Sequence, residues 1–276
     1  MRRQGLIQYV LNKPDGEGIL RLDGIEIPGF AGSYQLSLWQ PPGPVPAAGW
    51  PLALFFDGQN LFGDSGTLAG GWHLHHCLAQ RQSKGQAVPL VAGLHHGPER
   101  EAELSPFDPF VGVTGRGKEL LAWLDGQVLP HLHTLLPINP DPGQTLIGGS
   151  SLGGLLALYG LFATPARFGK ALVMSPALWP ERFLIFQELM MLQPLPGAKV
   201  YLDHGQREVL EAGKEHLGQI LFEQSQLLAD LLEVMGFVRG ERLCWQADPL
   251  GEHNESSWRR RLPAALDFLY GTEVST

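Results

Sequence analysis

Residues 144–164, QTLIGGSSLGGLLALYGLFAT, run from an apolar stretch through a glycine-rich turn into a longer apolar stretch that stops before Pro165. That order reads as a strand, a sharp turn and a helix. Within it, Gly149-Ser150-Ser151-Leu152-Gly153 fits the pattern G-x-S-x-G. The pattern has a mechanical reason. A nucleophile on so sharp a turn has a strained backbone, and the residues two positions to either side are pressed together and must be small. Around Ser151 these are Gly149 and Gly153; around Ser150 they would be Gly148 and Leu152. The steric demand therefore selects Ser151. Its expected place at a helix N-terminus would also favour developing negative charge. Competing readings are a plain glycine turn or a phosphate loop. No Lys follows the glycines, and neither G-x-x-x-x-G-K-[ST] nor G-x-G-x-x-G is present.

The rest of the chain supplies the context such a turn needs. GLIQYVLN, GILRLDGIEI and GSYQLSLWQPP alternate partially between Gly and Pro boundaries and predict early antiparallel strands. The runs WPLALFFDG (50–58) and AVPLVAGLHH (87–96) are continuously apolar, as strands buried on both faces are. GGWHLHHCLAQRQSKG between them suits a short helix. From 116 onward helices and strands alternate: GKELLAWLDGQVLPHLHTLL (helix, kinked near Gly126 and Pro130), QTLIGG, the helix after it, FGKALVMSP (strand), ERFLIFQELMMLQ (helix), AKVYLDHG (strand), a long helix ending at Gly236, RLCWQAD (strand) and ESSWRRRLPAALDFLYG (helix). The expectation is an α/β fold in one domain, 1–276. Its sheet is mainly parallel, with an antiparallel start and helices on both faces.

Composition narrows the function. A net charge of −8 argues against a nucleic-acid partner. The cluster WRRR (258–261) reads as a solvated helix face. Cys77 and Cys244 match no metal or redox spacing, and no histidine pair has H-x-x-x-H spacing with an acid, so no metal or other cofactor is expected. His75, His76, His95 and His96 are read as polar surface or packing residues. The apolar run near the N-terminus is too short for a signal-peptide core, and no run approaches a membrane span. A cytoplasmic protein without membrane contact is expected. Nothing in the sequence sets an oligomeric state.

A serine nucleophile needs a base and an acid downstream, in the order Ser, Asp/Glu, His. His253 is the histidine between the last strand and the last helix. The acid should follow AKVYLD, where position alone leaves Asp203 and Glu208 open. The end of FGKALVMSP, an alternative acid position, carries Ser175. An oxyanion hole would draw one N–H from Leu152 and another from the loop after an early strand, where Gln59 follows Asp57-Gly58.

LFFDGQNLF, LHHGPEREAELSPF (94–107), GGSSLGG, VYLDHGQRE and GEHNESSWRRRLPAALDFLYG occur in this order. With them the chain resembles the putative-esterase family of α/β-hydrolases over roughly residues 30–275. That family includes siderophore (enterobactin) esterases, S-formylglutathione hydrolases, feruloyl and acetyl-xylan esterases and mycolyltransferases. The resemblance implies an α/β-hydrolase fold and a serine esterase acting on a small-molecule ester. It implies Glu208 as the acid, because Gly205-Gln206-Arg207-Glu208 matches the family's G-x-x-[DE] turn, and it agrees with Gln59. Arg100 and Glu103 match an R-x-x-E segment and are expected to form a structural ion pair near the site. A small cap or none is expected, and Trp179, Phe183, Phe186, His204 and Arg100 are candidates to line an open cleft. Siderophore, sugar-linked or feruloyl esters are the candidate substrates. Two other readings remain: acyl transfer by the same triad, and a catalytically silent hydrolase fold used for binding.

Overall fold

A computed structural model of the chain describes residues 10–12, 14–65, 67, 69–178, 184–209 and 213–273. The strands are β1 (Val10–Leu11), β2 (Leu20–Ile25), β3 (Tyr34–Trp39), β4 (Leu52–Phe56), β5 (Leu90–Leu94), β6 (Thr145–Ser150), β7 (Lys170–Met174), β8 (Lys199–Gly205) and β9 (Leu243–Asp248). They form one sheet in the order β1-β2-β3-β5-β4-β6-β7-β8-β9. The pairings β1/β2, β2/β3 and β3/β5 are antiparallel, and every pairing from β5/β4 to β8/β9 is parallel. The sheet thus has the expected antiparallel start and parallel remainder.

The helices are α1 (Leu74–Ser83), α2 (Arg100–Glu103), α3 (Gly117–Trp123), α4 (Leu129–Leu135), α5 (Leu152–Ala163), α6 (Leu184–Met191), α7 (Glu215–Val234) and α8 (Glu255–Tyr270). Every residue of β4, β5, β6 and β7 is buried, so both faces of the central sheet are covered. Helix α5 is buried from Leu152 through Phe162, which explains its lack of a polar face. The surface helix α8 keeps one; its start is fixed by Asn254, whose side chain accepts from Ser257 N at 3.0 Å.

The kink expected near Gly126 and Pro130 takes the form of one wide π turn, Leu124–Val128, joining α3 to α4. Pro130 then falls in the first turn of α4, where its missing N–H costs little. Helix α2 is a single turn of four residues, too short to carry a periodic signal in the sequence. No helix among the described residues is long and apolar enough to cross a membrane.

Parallel strands all point their carboxyl ends the same way. The segments after β4, β6, β7, β8 and β9 therefore gather at one edge of the sheet, where open α/β sheets build their sites. Asp57, Ser151, Ser175, Glu208 and His253 lie on those segments.

Candidate active site

Ser151 sits between the end of β6 and the first residue of α5 with φ 55° and ψ −125°, a conformation that a non-glycine residue holds only where its surroundings impose it. The surroundings do. A Cβ on Gly149 would lie 2.6 Å from the carbonyl carbon of Gly153, so the turn closes only with glycine there. Ser151 N donates to Met174 O at 3.0 Å, tying the turn to β7. Asp57 (φ 54°) and Ser175 (φ 44°), after β4 and β7, are strained in the same sense.

His253 Nε2 lies 3.0 Å from Ser151 Oγ, and its Nδ1 lies 2.8 Å from Glu208 Oε2. The ring meets Trp258 edge-on, with centroids 5.1 Å apart. Ser151, His253 and Glu208 thus form one chain of hydrogen bonds. The Glu208 side chain is 2% exposed. Its Oε1 accepts from Gly205 N at 2.7 Å and from the Ser175 hydroxyl. Burial by itself would raise the pKa of Glu208; the hydrogen bond from His253 and the neighbouring imidazoles outweigh it and hold the carboxyl below its ordinary value.

Asp203, the other acid that position allowed, is engaged elsewhere. It lies within β8, fully buried, where Oδ1 accepts from Ser175 N at 3.1 Å and Oδ2 from Arg261 Nε at 2.9 Å. Burial pushes its pKa up to about 6 against the pull of Arg261. Arg261 Nη2 and Trp258 Nε1 donate to Ser175 Oγ at 2.9 and 3.0 Å. Ser175 hands this network on to Glu208. Here the reading of WRRR as a solvated face needs correction. Trp258 and Arg261, three apart, share the inward face of α8, and only Arg259 and Arg260 point to solvent.

Leu152 is the first residue of α5, where backbone N–H groups lack intrahelical partners. Gln59 lies on a short 3-10 turn, Gly58–Asn60, held close under β5: a Cβ on Gly58 would lie 2.3 Å from Gly93 O. The Gln59 side chain donates to Asp57 at 3.3 Å.

The expected Arg100–Glu103 ion pair does not form. Arg100 binds Asp57 in bidentate fashion, Nε to Oδ1 at 2.8 Å and Nη2 to Oδ2 at 2.6 Å. Burial would lower the pKa of Arg100, but the Asp57 carboxylate raises it overall. Glu103 turns the other way and accepts from Tyr34 Oη at 2.8 Å and Gly97 N at 2.7 Å. The two side chains of a single helical turn diverge because each finds its own buried partner. Neither Asp57 nor the Ser175–Arg261 network was singled out from sequence; both depend on contacts between distant segments.

A cleft of about 390 Å³ opens over Ser151, walled by Arg100, Phe110, Ala177, His204, Val209 and Leu221 among others. His204 is buried, with Nδ1 3.0 Å from Ser225 Oγ and Nε2 3.3 Å from Glu208 Oε2. Burial pushes its pKa down to about 4, so it is a neutral wall of the cleft at pH 7. Phe186 packs half-buried against the core and is not among the residues lining the cleft. Trp179 and Phe183 lie outside the described residues.

Comparison with known proteins places the chain in a family. The family model described as Putative esterase matches residues 31–269. The uncharacterized protein YbbA of Bacillus subtilis (strain 168) is 25% identical over 254 residues, 89% of this chain and 96% of that protein. The iron(III) enterobactin esterase of Escherichia coli (strain K12) is 30% identical over 189 residues, 66% of this chain and 45% of that enzyme. The chain spans about half the length of the enterobactin esterases it matches. Among solved structures, the BES protein from Bacillus cereus superposes with a TM-score of 0.67 at 18% identity, covering 98% of both chains. The ferric enterobactin esterase from Salmonella typhimurium gives 0.70 at 21% identity, covering 96% of this chain and 61% of that one. The chain belongs to the putative-esterase family, carboxylic ester hydrolases of the α/β-hydrolase fold.

Proposed function

We propose that the chain is a serine esterase in which Ser151, His253 and Glu208 act as a catalytic triad. The observation that carries the reading is the hydrogen-bonded chain from Ser151 Oγ through His253 to buried Glu208, starting on a strained turn that faces the cleft. His253 Nε2 accepts the Ser151 proton as Oγ bonds to the ester carbonyl carbon. The carbonyl oxygen becomes an oxyanion, which the backbone N–H groups of Leu152 and Gln59 receive. His253 then gives its proton to the departing alcohol oxygen as the C–O bond breaks. Water attacks the acyl-enzyme by the same steps in reverse and releases the acid. Glu208, kept ionised, fixes the His253 tautomer and stabilises the imidazolium between steps. No step requires a metal.

The substrate is a small-molecule ester that fits an open, partly apolar cleft. Relatives named as iron(III) enterobactin esterases support including siderophore lactones among the candidates, beside feruloyl and simple esters. Ser151→Ala should lower hydrolysis of p-nitrophenyl esters by roughly 10⁴-fold or more without changing the fold. A fluorophosphonate probe should label wild type at Ser151 and leave the variant unlabelled. Retained activity or labelling in Ser151→Ala would rule out this nucleophile. A panel of p-nitrophenyl chain lengths, a feruloyl ester and a siderophore lactone then ranks the substrate classes by kcat/KM.

A further inference from the structure

The segment Trp72–His76 carries three imidazoles at the start of α1. None of them lines the cleft over Ser151. The rings of His73 and His76 stack at 5.5 Å, and those of His75 and His76 approach to 4.0 Å. Glu17, on the turn before β2, reaches this group from a distant part of the chain. Its Oε2 lies 2.8 Å from His75 Nε2 and its Oε1 4.0 Å from His76 Nε2. One ligand atom from each of Glu17, His75 and His76 lies within 4.8 Å of the others.

The 2.8 Å approach has the length of a hydrogen bond without the alignment of one. Neither ring nitrogen of His75 has a hydrogen-bond partner among the described residues, although the residue is only 4% exposed. Buried polar atoms in native proteins are nearly always satisfied, and an orphaned one calls for an unseen partner. A cation shared with Glu17 and His76 is such a partner. His73 is already engaged, its Nε2 lying 2.8 Å from Asp64 Oδ1.

We propose that Glu17, His75 and His76 form a binding site for a divalent transition metal, with zinc the ion that their two imidazoles and one carboxylate suit, tying the turn before β2 to the first turn of α1. Ligands about 2.0–2.2 Å from a tetrahedral zinc stand roughly 3.3–3.5 Å apart. The 2.8 and 4.0 Å separations bracket that spacing. Glu17 and His76 are exposed, so small rotations bring them to it while buried His75 stays fixed. Water takes the fourth position. Local H-x-x-x-H spacing does not mark this group, because its two histidines are adjacent and its carboxylate comes from the far N-terminal turn.

The test is calorimetric titration of Zn²⁺ into chelator-stripped chain carrying no affinity tag, with metal content measured after dialysis. Wild type should bind one zinc per chain. Glu17→Gln and His76→Ala alter exposed side chains and should fold as wild type by circular dichroism. Each should weaken binding by at least about 10-fold, the lower bound for disturbing even a supporting group of a metal site. His133→Ala, at an exposed histidine elsewhere, should leave affinity unchanged. Zinc should raise the melting temperature of wild type more than that of either site variant. Absence of stoichiometric binding in wild type would overturn the proposal. So would zinc affinity equal to wild type in both Glu17→Gln and His76→Ala.

Discussion

Arg261→Met tests whether the buried network behind Glu208 is organised as its geometry implies. The guanidinium is 2% exposed and makes three hydrogen bonds, Nε to Asp203 at 2.9 Å, Nη2 to Ser175 Oγ at 2.9 Å and Nη1 to Asp248 at 3.3 Å, with Glu208 Oε1 4.0 Å from Nη2. Asp203 is 0% exposed, and when Arg261 is gone its carboxylate loses the Nε hydrogen bond and keeps that from Ser175 N. Breaking such a pair from one side costs about 3–5 kcal/mol, because the remaining charge stays buried without compensation. In the wild type, burial and Glu208 push the pKa of Asp203 up while Arg261 holds it down. Without Arg261 the carboxyl moves further up. The folded variant then binds a proton at pH values where the unfolded chain has released it. Its stability relative to wild type should therefore rise as pH falls from about 8 toward 5. Asp203→Asn combined with Arg261→Met removes both charges and should be at least about 2 kcal/mol more stable than Arg261→Met alone at pH 8. Urea denaturation of the three variants at pH 8 and pH 5.5, with shared m-values checked, measures all of this. A cost below about 1 kcal/mol at pH 8, or a double variant no better than the single one, would refute the account of Asp203 as an anchored charge.

Glu208→Gln keeps the size of the proposed triad acid but lets the wrong His253 tautomer form, and should lower kcat by about 10³–10⁴-fold with KM changed little, as read from p-nitrophenyl ester kinetics. Gly149→Ala forces a Cβ to 2.6 Å from the Gly153 backbone and should destabilise by about 1–3 kcal/mol in urea melts, with a loss of activity beyond the unfolded fraction. Arg100→Ala strands the 4%-exposed Asp57 carboxylate and should cost more than Asp57→Asn, which leaves the 30%-exposed Arg100 side chain able to reach water; thermal melts of the two variants test the order. Burial pushes His204 from 6.5 down to about 4, so between those values the unfolded chain binds a proton that the native chain refuses. Stability should fall as pH drops through that window, by on the order of 3 kcal/mol for this group, and His204→Gln should flatten the fall in acid-unfolding curves.

The fold was legible where its signals are local. The continuous apolar runs that became β4 and β5 announce strands buried on both faces, and Gly149 and Gly153 bracket the one serine whose neighbours tolerate the turn. Helix α2 was not legible, because four residues carry no periodicity. The kink at Gly126 and Pro130 was, but not its form as a π turn, which depends on how α3 and α4 pack. For WRRR, composition suggested a solvated patch, while the spacing of Trp258 and Arg261 already allowed a shared inward face. Choosing the inward face requires knowing what lies beneath α8.

What lies beneath also explains why the segment from β8 to its loop carries two acids. Asp203 pairs in register with Met174, and the two strands continue into Ser175 and the Glu208 loop side by side. An acid within the strand stays in the sheet's interior, where Ser175 N and Arg261 occupy both its oxygens. An acid beyond Gly205 is carried past the sheet edge to the height of His253, which the loop after β9 brings in from the neighbouring position. Sequence position could not separate the two, because both follow the same strand and both are carboxylates. Their roles differ through the third dimension: Asp203 neutralises Arg261, Arg261 orients Ser175, and Ser175 donates to Glu208. Such a chain leaves the proposed triad acid little freedom to turn away from His253. Preorganisation of this kind follows from contacts between β7, β8 and α8, elements that are far apart in the sequence and meet only once the sheet has formed.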